Sequence, residues 1–112
     1  MEHHFNHKAG SFDSPKNIFI ANLIRQEVEK QIVDFSDKCI LDFGGGTGLV
    51  SLPLATQSKS VMLVDISEKM LEQARLKVEK QAIENVYLLQ QDLLTKPLNQ
   101  LFDIIVVSRV LH

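Results

Sequence analysis

Leu41-Asp42-Phe43-Gly44-Gly45-Gly46-Thr47-Gly48 is the stretch whose reading decides the fold of this chain. An apolar run ends in an acidic residue, and glycines at 44, 46 and 48 then alternate with other residues. Each glycine removes a Cβ, so a ligand can approach the backbone closely and φ can turn positive without steric cost. A glycine-rich loop leaving a strand is a nucleotide-binding signature of α/β proteins, and its spacing and neighbours decide which nucleotide.

Working outward, residues 38–43 read as a short apolar strand feeding that loop. Upstream, Ser14 offers an N-cap with Pro15 at the first helical position, where a missing N–H costs nothing. Ile18, Phe19, Leu23, Ile24, Val28 and Ile32 recur at helical spacing and predict a helix over residues 15–33, preceded by an irregular arm over residues 1–13. Downstream, residues 48–55 read as a helix that Pro53 is expected to kink or shorten. Residues 60–65 contain the continuous apolar run Val61-Met62-Leu63-Val64, the pattern of a strand buried on both faces. Ser67 caps the next helix, where Met70, Leu71, Ala74, Val78 and Ala82 form one stripe. Residues 86–89 read as a third strand, residues 92–100 as a short connection containing Pro97, and residues 102–107 as a fourth strand.

Strands alternating with helices argue for a parallel sheet joined by right-handed crossovers. Successive crossovers in one direction place the second and third strands outward from the first, with their helices on one face. The fourth strand must then return to the other side of the first. The expected architecture is an α/β, Rossmann-like parallel sheet of order 3-2-1-4, with its switch point between strands one and four beside the glycine loop.

The bulk properties narrow the classes. At 112 residues the chain is expected to form a single domain, and 45% hydrophobic with 23% charged residues is ordinary for a globular one. A formal charge of −2 gives no electrostatic reason for a nucleic acid or an anionic membrane as partner. No apolar run approaches the ~20 residues that span a bilayer, and no signal peptide is visible at the start. The single Cys39 suits a reducing cytoplasm and reads as a small core residue. His3, His4 and His7 cluster early, but no partnering Cys, Asp or Glu has ligand spacing, so no metal is expected.

Two acids behind the loop carry the chemistry. Asp65 ends the second strand, where a carboxylate can accept hydrogen bonds from two vicinal ribose hydroxyls; the plainer alternative is a solvated strand-end acid. Asp92 follows the third strand and can accept from an adenine amino group while flanking apolar side chains hold the ring. It can equally cap the following turn.

With these residues in view, residues 41–48 resemble the first motif (D/E-x-G-x-G-x-G) of class I S-adenosylmethionine-dependent methyltransferases. Val64-Asp65-Ile66-Ser67-Glu68-Lys69-Met70-Leu71 is similar to their second motif, Gln91-Asp92-Leu93 to the third, and Phe102-Asp103-Ile104-Ile105-Val106-Val107-Ser108 to the fourth. The resemblance covers residues 38–112. It implies S-adenosyl-L-methionine as cofactor, with Gly44, Gly46 and Gly48 under its methionyl part and Phe43 and Gly45 completing the loop. It further implies that Asp42 orients the ammonium group directly or through water and that Asp65 binds the ribose. Ile66 and Met70 would pack near the adenine, Asp92 would bind its amino group beside the Leu93 backbone, and Ser108 would lie near the sulfonium methyl. Residues 5–13 resemble an arm that folds over the cofactor in some relatives, although Phe12 packing on the core is the plainer alternative.

The implied activity is methyl transfer by in-line displacement, most simply to a small-molecule acceptor. No general base is evident, since His112 only ends the chain. Relatives continue past the fourth strand with a helix, a fifth strand, another helix and an antiparallel pair. The chain is therefore expected to be a shortened cofactor-binding half lacking the C-terminal strands. Its fourth strand would be an apolar edge that invites self-association. A non-catalytic cofactor-binding module is the alternative. A nicotinamide dehydrogenase is disfavoured because its fingerprint wants a small residue where Leu49 stands.

Overall fold

The computed structural model describes residues 13–93, 96 and 98–107. Helix α1 (Pro15–Gln31) leads into strand β1 (Cys39–Phe43), the short helix α2 (Ser51–Ala55), β2 (Ser60–Asp65), α3 (Glu68–Lys80), β3 (Val86–Gln90) and β4 (Ile104–Val107). All strand pairs are parallel and the sheet order is β3-β2-β1-β4, as expected from the alternation.

Register sorts the side chains into two faces. Ile40 and Asp42 stand beside Val61 and Leu63 on one face, joined by Ile104 and Val106 of β4. All three helices cover that face. Ala21, Ile24 and Val28 of α1 and Leu54 and Ala55 of α2 pack around Ile40, Val61 and Val106, while Leu71 and Ala74 of α3 pack on Leu63 and Leu88. The opposite face keeps Leu41 and Val64 buried but leaves Tyr87, Ile105 and Val107 57%, 63% and 64% exposed. There, Leu93, Leu98, Leu101 and Phe102 of the β3–β4 connection line a groove of about 320 Å³ over Leu41 and Ile105.

Local chemistry sets the ends. The Ser14 hydroxyl accepts from the Asn17 N–H at 3.2 Å, and Pro15 opens α1. The helix stops at Gln31, two residues before the expected end, because Ile32 turns to extended backbone (φ −119°, ψ 121°) and enters the core. The expected stripe is also narrower. At about 100° per residue, Phe19 and Leu23 stand opposite Ala21 and Ile18 on its flank, and these three side chains are exposed. The β4 strand begins at Ile104, later than expected, and Asp103 just before it joins β1 twice: its carboxylate accepts from the Cys39 N–H at 2.8 Å and its N–H donates to the Cys39 carbonyl at 2.9 Å.

The helix expected from residue 48 starts only at Ser51, since Gly48 has φ +87° and cannot continue a right-handed helix. The Leu52 N–H reaches the Gly48 carbonyl at 3.0 Å, but Pro53 has no N–H to continue that series to Leu49, and the helix is the shortened one expected.

The third helix is capped by Ser67, whose hydroxyl accepts from the Met70 N–H at 3.3 Å. On its outer face Arg75 pairs with Glu72 and Glu79, and its hydrogen bond holds the Glu72 carboxyl below the usual range. Ala82, expected in the buried stripe, instead leaves the helix as an exposed residue at φ +54°. The Ile83 N–H reaches back to the Val78 carbonyl at 3.0 Å, the closure that favours glycine at the left-handed position. Ala82→Gly is therefore expected to stabilise the fold by about 0.5–1 kcal/mol. Thermal unfolding checks this, and an unchanged or lowered midpoint contradicts it.

Candidate functional site

Everything chemically notable gathers at the carboxyl ends of β1, β2 and β3. Beyond β1 the Gly44 N–H donates to the Val64 carbonyl at 2.8 Å, which ties the start of the loop to β2. Gly44, Gly46 and Gly48 take φ of +74°, +58° and +87°, a sequence of turns that side chains with a Cβ resist. Gly45 is needed for a different reason. A Cβ there would stand 2.6 Å from the Asp42 carboxylate oxygen and 2.8 Å from Leu63 Cγ.

Asp42 lies beneath that loop, fully buried on the helix-covered face. Its carboxylate lies directly against Gly45, so the buried acid and the loop backbone are packed together. Phe43, on the opposite face, is half-buried.

Asp65 joins the loop to the next helix. Its Oδ2 accepts from the Gly46 N–H at 2.8 Å and its Oδ1 from the Ser67 N–H at 2.8 Å. The strand-end acid and the glycine loop are thus one hydrogen-bonded unit. Met70 sits over the same spot, its sulfur 3.1 Å from where a Gly46 Cβ would project. Ile66 is 64% exposed beside them. The Gln91 N–H donates to the Asp65 carbonyl at 3.1 Å, which carries the chain past the site to Asp92. Asp92 is exposed, Leu93 is half-buried, and the Asp92 carbonyl accepts from the Lys96 N–H at 2.9 Å, so a turn does begin there. Ser108, the remaining expected contact, lies outside the described residues, as do His3, His4, His7, Phe12 and His112.

Sequence reading missed a second anchor of the loop. The Thr47 hydroxyl donates to Asp13 at 2.5 Å, the Lys77 ammonium pairs with Asp13 at 2.6 Å, and the same ammonium donates to the Thr47 carbonyl at 3.1 Å. No sequence signal marks this anchor, since residues 13, 47 and 77 meet only in the packed fold.

The site fits an adenosyl cofactor on its own geometry. A cradle without Cβ atoms lets a chain of ligand atoms pass close to the loop backbone. Each oxygen of the half-buried Asp65 carboxylate has a second lone pair beyond its amide partner. Among the described residues no group of three His, Cys, Asp or Glu is placed to hold a metal ion, and no helix is long and apolar enough to cross a membrane.

A glycine loop tied to a strand-end acid, beside the switch point of a 3-2-1-4 parallel sheet, defines the adenosyl-cofactor-binding class of α/β domains. Comparison with known proteins narrows the class. A family model described as a methyltransferase domain matches residues 40–112. A ubiquinone biosynthesis O-methyltransferase from Coxiella burnetii is 34% identical over 98 residues, covering 87% of this chain and 42% of that protein. An uncharacterized RNA methyltransferase from Listeria monocytogenes is 34% identical over 87 residues, covering 78% of this chain and 19% of that protein. The solved structure of an S-adenosylmethionine-dependent methyltransferase from Clostridium acetobutylicum superposes with a TM-score of 0.61 at 27% identity, covering 93% of this chain and 42% of that one. The chain belongs to the class I S-adenosylmethionine-dependent methyltransferase family, and it spans less than half the length of these relatives.

Proposed function

We propose that the loop of Asp42, Phe43, Gly44, Gly45, Gly46 and Gly48 binds S-adenosyl-L-methionine together with Asp65 and Asp92, and that the protein passes the methyl group to a small-molecule acceptor. The observation that carries this reading is the Gly46 N–H to Asp65 hydrogen bond, which presents loop backbone and carboxylate as a single binding surface. When bound, the cofactor supplies an activated sulfonium methyl group. The chain's own contribution is alignment and exclusion of water, which suffice for much of the barrier when the donor is already activated. Asp65 offers its spare lone pairs to vicinal ribose hydroxyls, and Asp92 with the Leu93 backbone faces the adenine edge. Ile66 and Met70 flank the ring, and Ser108, outside the described residues, keeps the role near the methyl group that the resemblance implies. No side chain is assigned as general base.

The small-molecule acceptor draws support from the Coxiella relative's named substrate class and from a net charge of −2. An RNA acceptor is the second reading, favoured by the Listeria relative but supplied with no basic excess to attract phosphates. Transfer of labelled methyl from S-adenosylmethionine, run in parallel against a panel of small phenols and against bulk RNA, is expected to label the phenols. Label in RNA alone reverses the choice, and cofactor binding without transfer to either identifies a non-catalytic module.

The reading takes residues 1–112 as one cytoplasmic cofactor-binding domain with residues 1–13 as its arm. It extends to self-association, because β4 ends the sheet among the described residues with Ile105 and Val107 largely exposed. Size-exclusion chromatography with light scattering is expected to give a mass above the single-chain 12.7 kDa. A single-chain mass at high concentration contradicts it.

A further inference from the structure

Thr47 is flanked on both sides by glycines in the left-handed region, Gly46 at φ +58° and Gly48 at φ +87°. Such a segment has little steric preference of its own, and ordering it costs more backbone entropy than ordering any other residue type. Something outside the loop must hold it. Two side chains from distant parts of the chain do so. Asp13, just before the α1 cap, accepts from the Thr47 hydroxyl, and Lys77, in the last turn of α3, donates to the Thr47 carbonyl. The two are paired with each other at 2.6 Å, with side chains only 30% and 25% exposed. Thr47 itself is 5% exposed, so the clamp works in a partly desolvated place where charge-assisted bonds are screened less than at the surface.

We propose that Asp13 and Lys77 are positioning residues for the cofactor: they clamp the glycine loop at Thr47 and so preset its backbone for the methionyl part of the ligand. The clamp also joins the loop to the start of α1, so seating of that helix and order in the loop rise together. Preorganisation of this kind raises affinity by removing an ordering cost from the binding step. By linkage, a bound cofactor stabilises the clamp in return. The inference rests on the proposed reading of residues 44–48 as the cofactor loop.

The test is calorimetric titration of the full chain with S-adenosylhomocysteine and, separately, with adenosine, which lacks the amino-acid portion. Lys77→Met and Asp13→Asn are expected to weaken S-adenosylhomocysteine binding about tenfold, the equivalent of about 1.4 kcal/mol. Adenosine binding is expected to stay within about twofold, and Lys77→Arg, which keeps charge and donors, to restore the first ligand. Amide exchange in the ligand-free variants should quicken at residues 46–48 while the β1 and β2 ladders stay protected. The near-isosteric Asp13→Asn keeps the test available if Lys77→Met fails to fold. Unchanged affinity in both variants, or an equal loss for both ligands, overturns the clamp. Failure of the unaltered chain to bind S-adenosylhomocysteine overturns the cofactor reading itself, and the clamp's role with it.

Discussion

Asp65→Ala is expected to weaken S-adenosylmethionine binding by about 100-fold, since hydrogen bonds to charged groups contribute about 1.5–3 kcal/mol each and 1.4 kcal/mol is a tenfold change. The effect has two sources. The proposed ribose acceptor is lost, and so is the carboxylate that holds the Gly46 and Ser67 amides in place. Without it the loop keeps its glycines but loses its registration against β2. Asp65→Asn retains one acceptor oxygen and is expected to fall between the two, about tenfold weaker than the unaltered chain. Titration calorimetry reads both. Wild-type affinity in Asp65→Ala would contradict the ribose-binding role and leave the acid as a structural tie for the loop.

Gly45→Ala is expected to be the more damaging change for the fold. Its Cβ would sit 2.6 Å and 2.7 Å from the Asp42 carboxylate and 2.8 Å from Leu63 Cγ, distances that force the buried side chains apart. Overpacking a tight core costs about 1–3 kcal/mol. Disturbing a fully buried carboxylate adds to that, because such a group depends on well-placed partners. At roughly 4–8 °C per kcal/mol for a domain of this size, the midpoint should drop by about 10 °C or more. Gly46→Ala is a useful contrast. Its nearest new contact is the flexible Met70 sulfur at 3.1 Å, so it pays mainly for φ +58°, about 1–2 kcal/mol. Differential scanning calorimetry of the pair tests the ranking; equal or reversed losses contradict it.

Much of the architecture was legible because it rests on local signals that tertiary contacts reinforce. Ser14 and Ser67 cap where a hydroxyl before a helix should, and the run of strands and helices allows one right-handed path to a 3-2-1-4 sheet. The misses have equally physical causes. Gly48 delayed α2 because positive φ is a property of loop geometry, not of composition. Phe19 and Leu23 fit a helical spacing yet face away, since a wide apolar face does not say which of its edges meets the sheet. Ala82 adopts a left-handed cap that a glycine would have announced.

At the site, the strand ends brought Asp65 to the glycine loop as expected, and Asp92 to the same sheet edge. The burial of Asp42 could have been read from alternation, because it shares a face with Ile40 and that face carries the helices. The Asp13–Thr47–Lys77 clamp could not, since its members are brought together only by the packed fold.

The most direct measurement is calorimetric titration of the unaltered chain with S-adenosylmethionine and with NAD under the same conditions. Saturable binding of S-adenosylmethionine at one site per chain, lost in Asp65→Ala, with no comparable heat from NAD, is the predicted result. No binding of S-adenosylmethionine, or tighter binding of NAD, would contradict it.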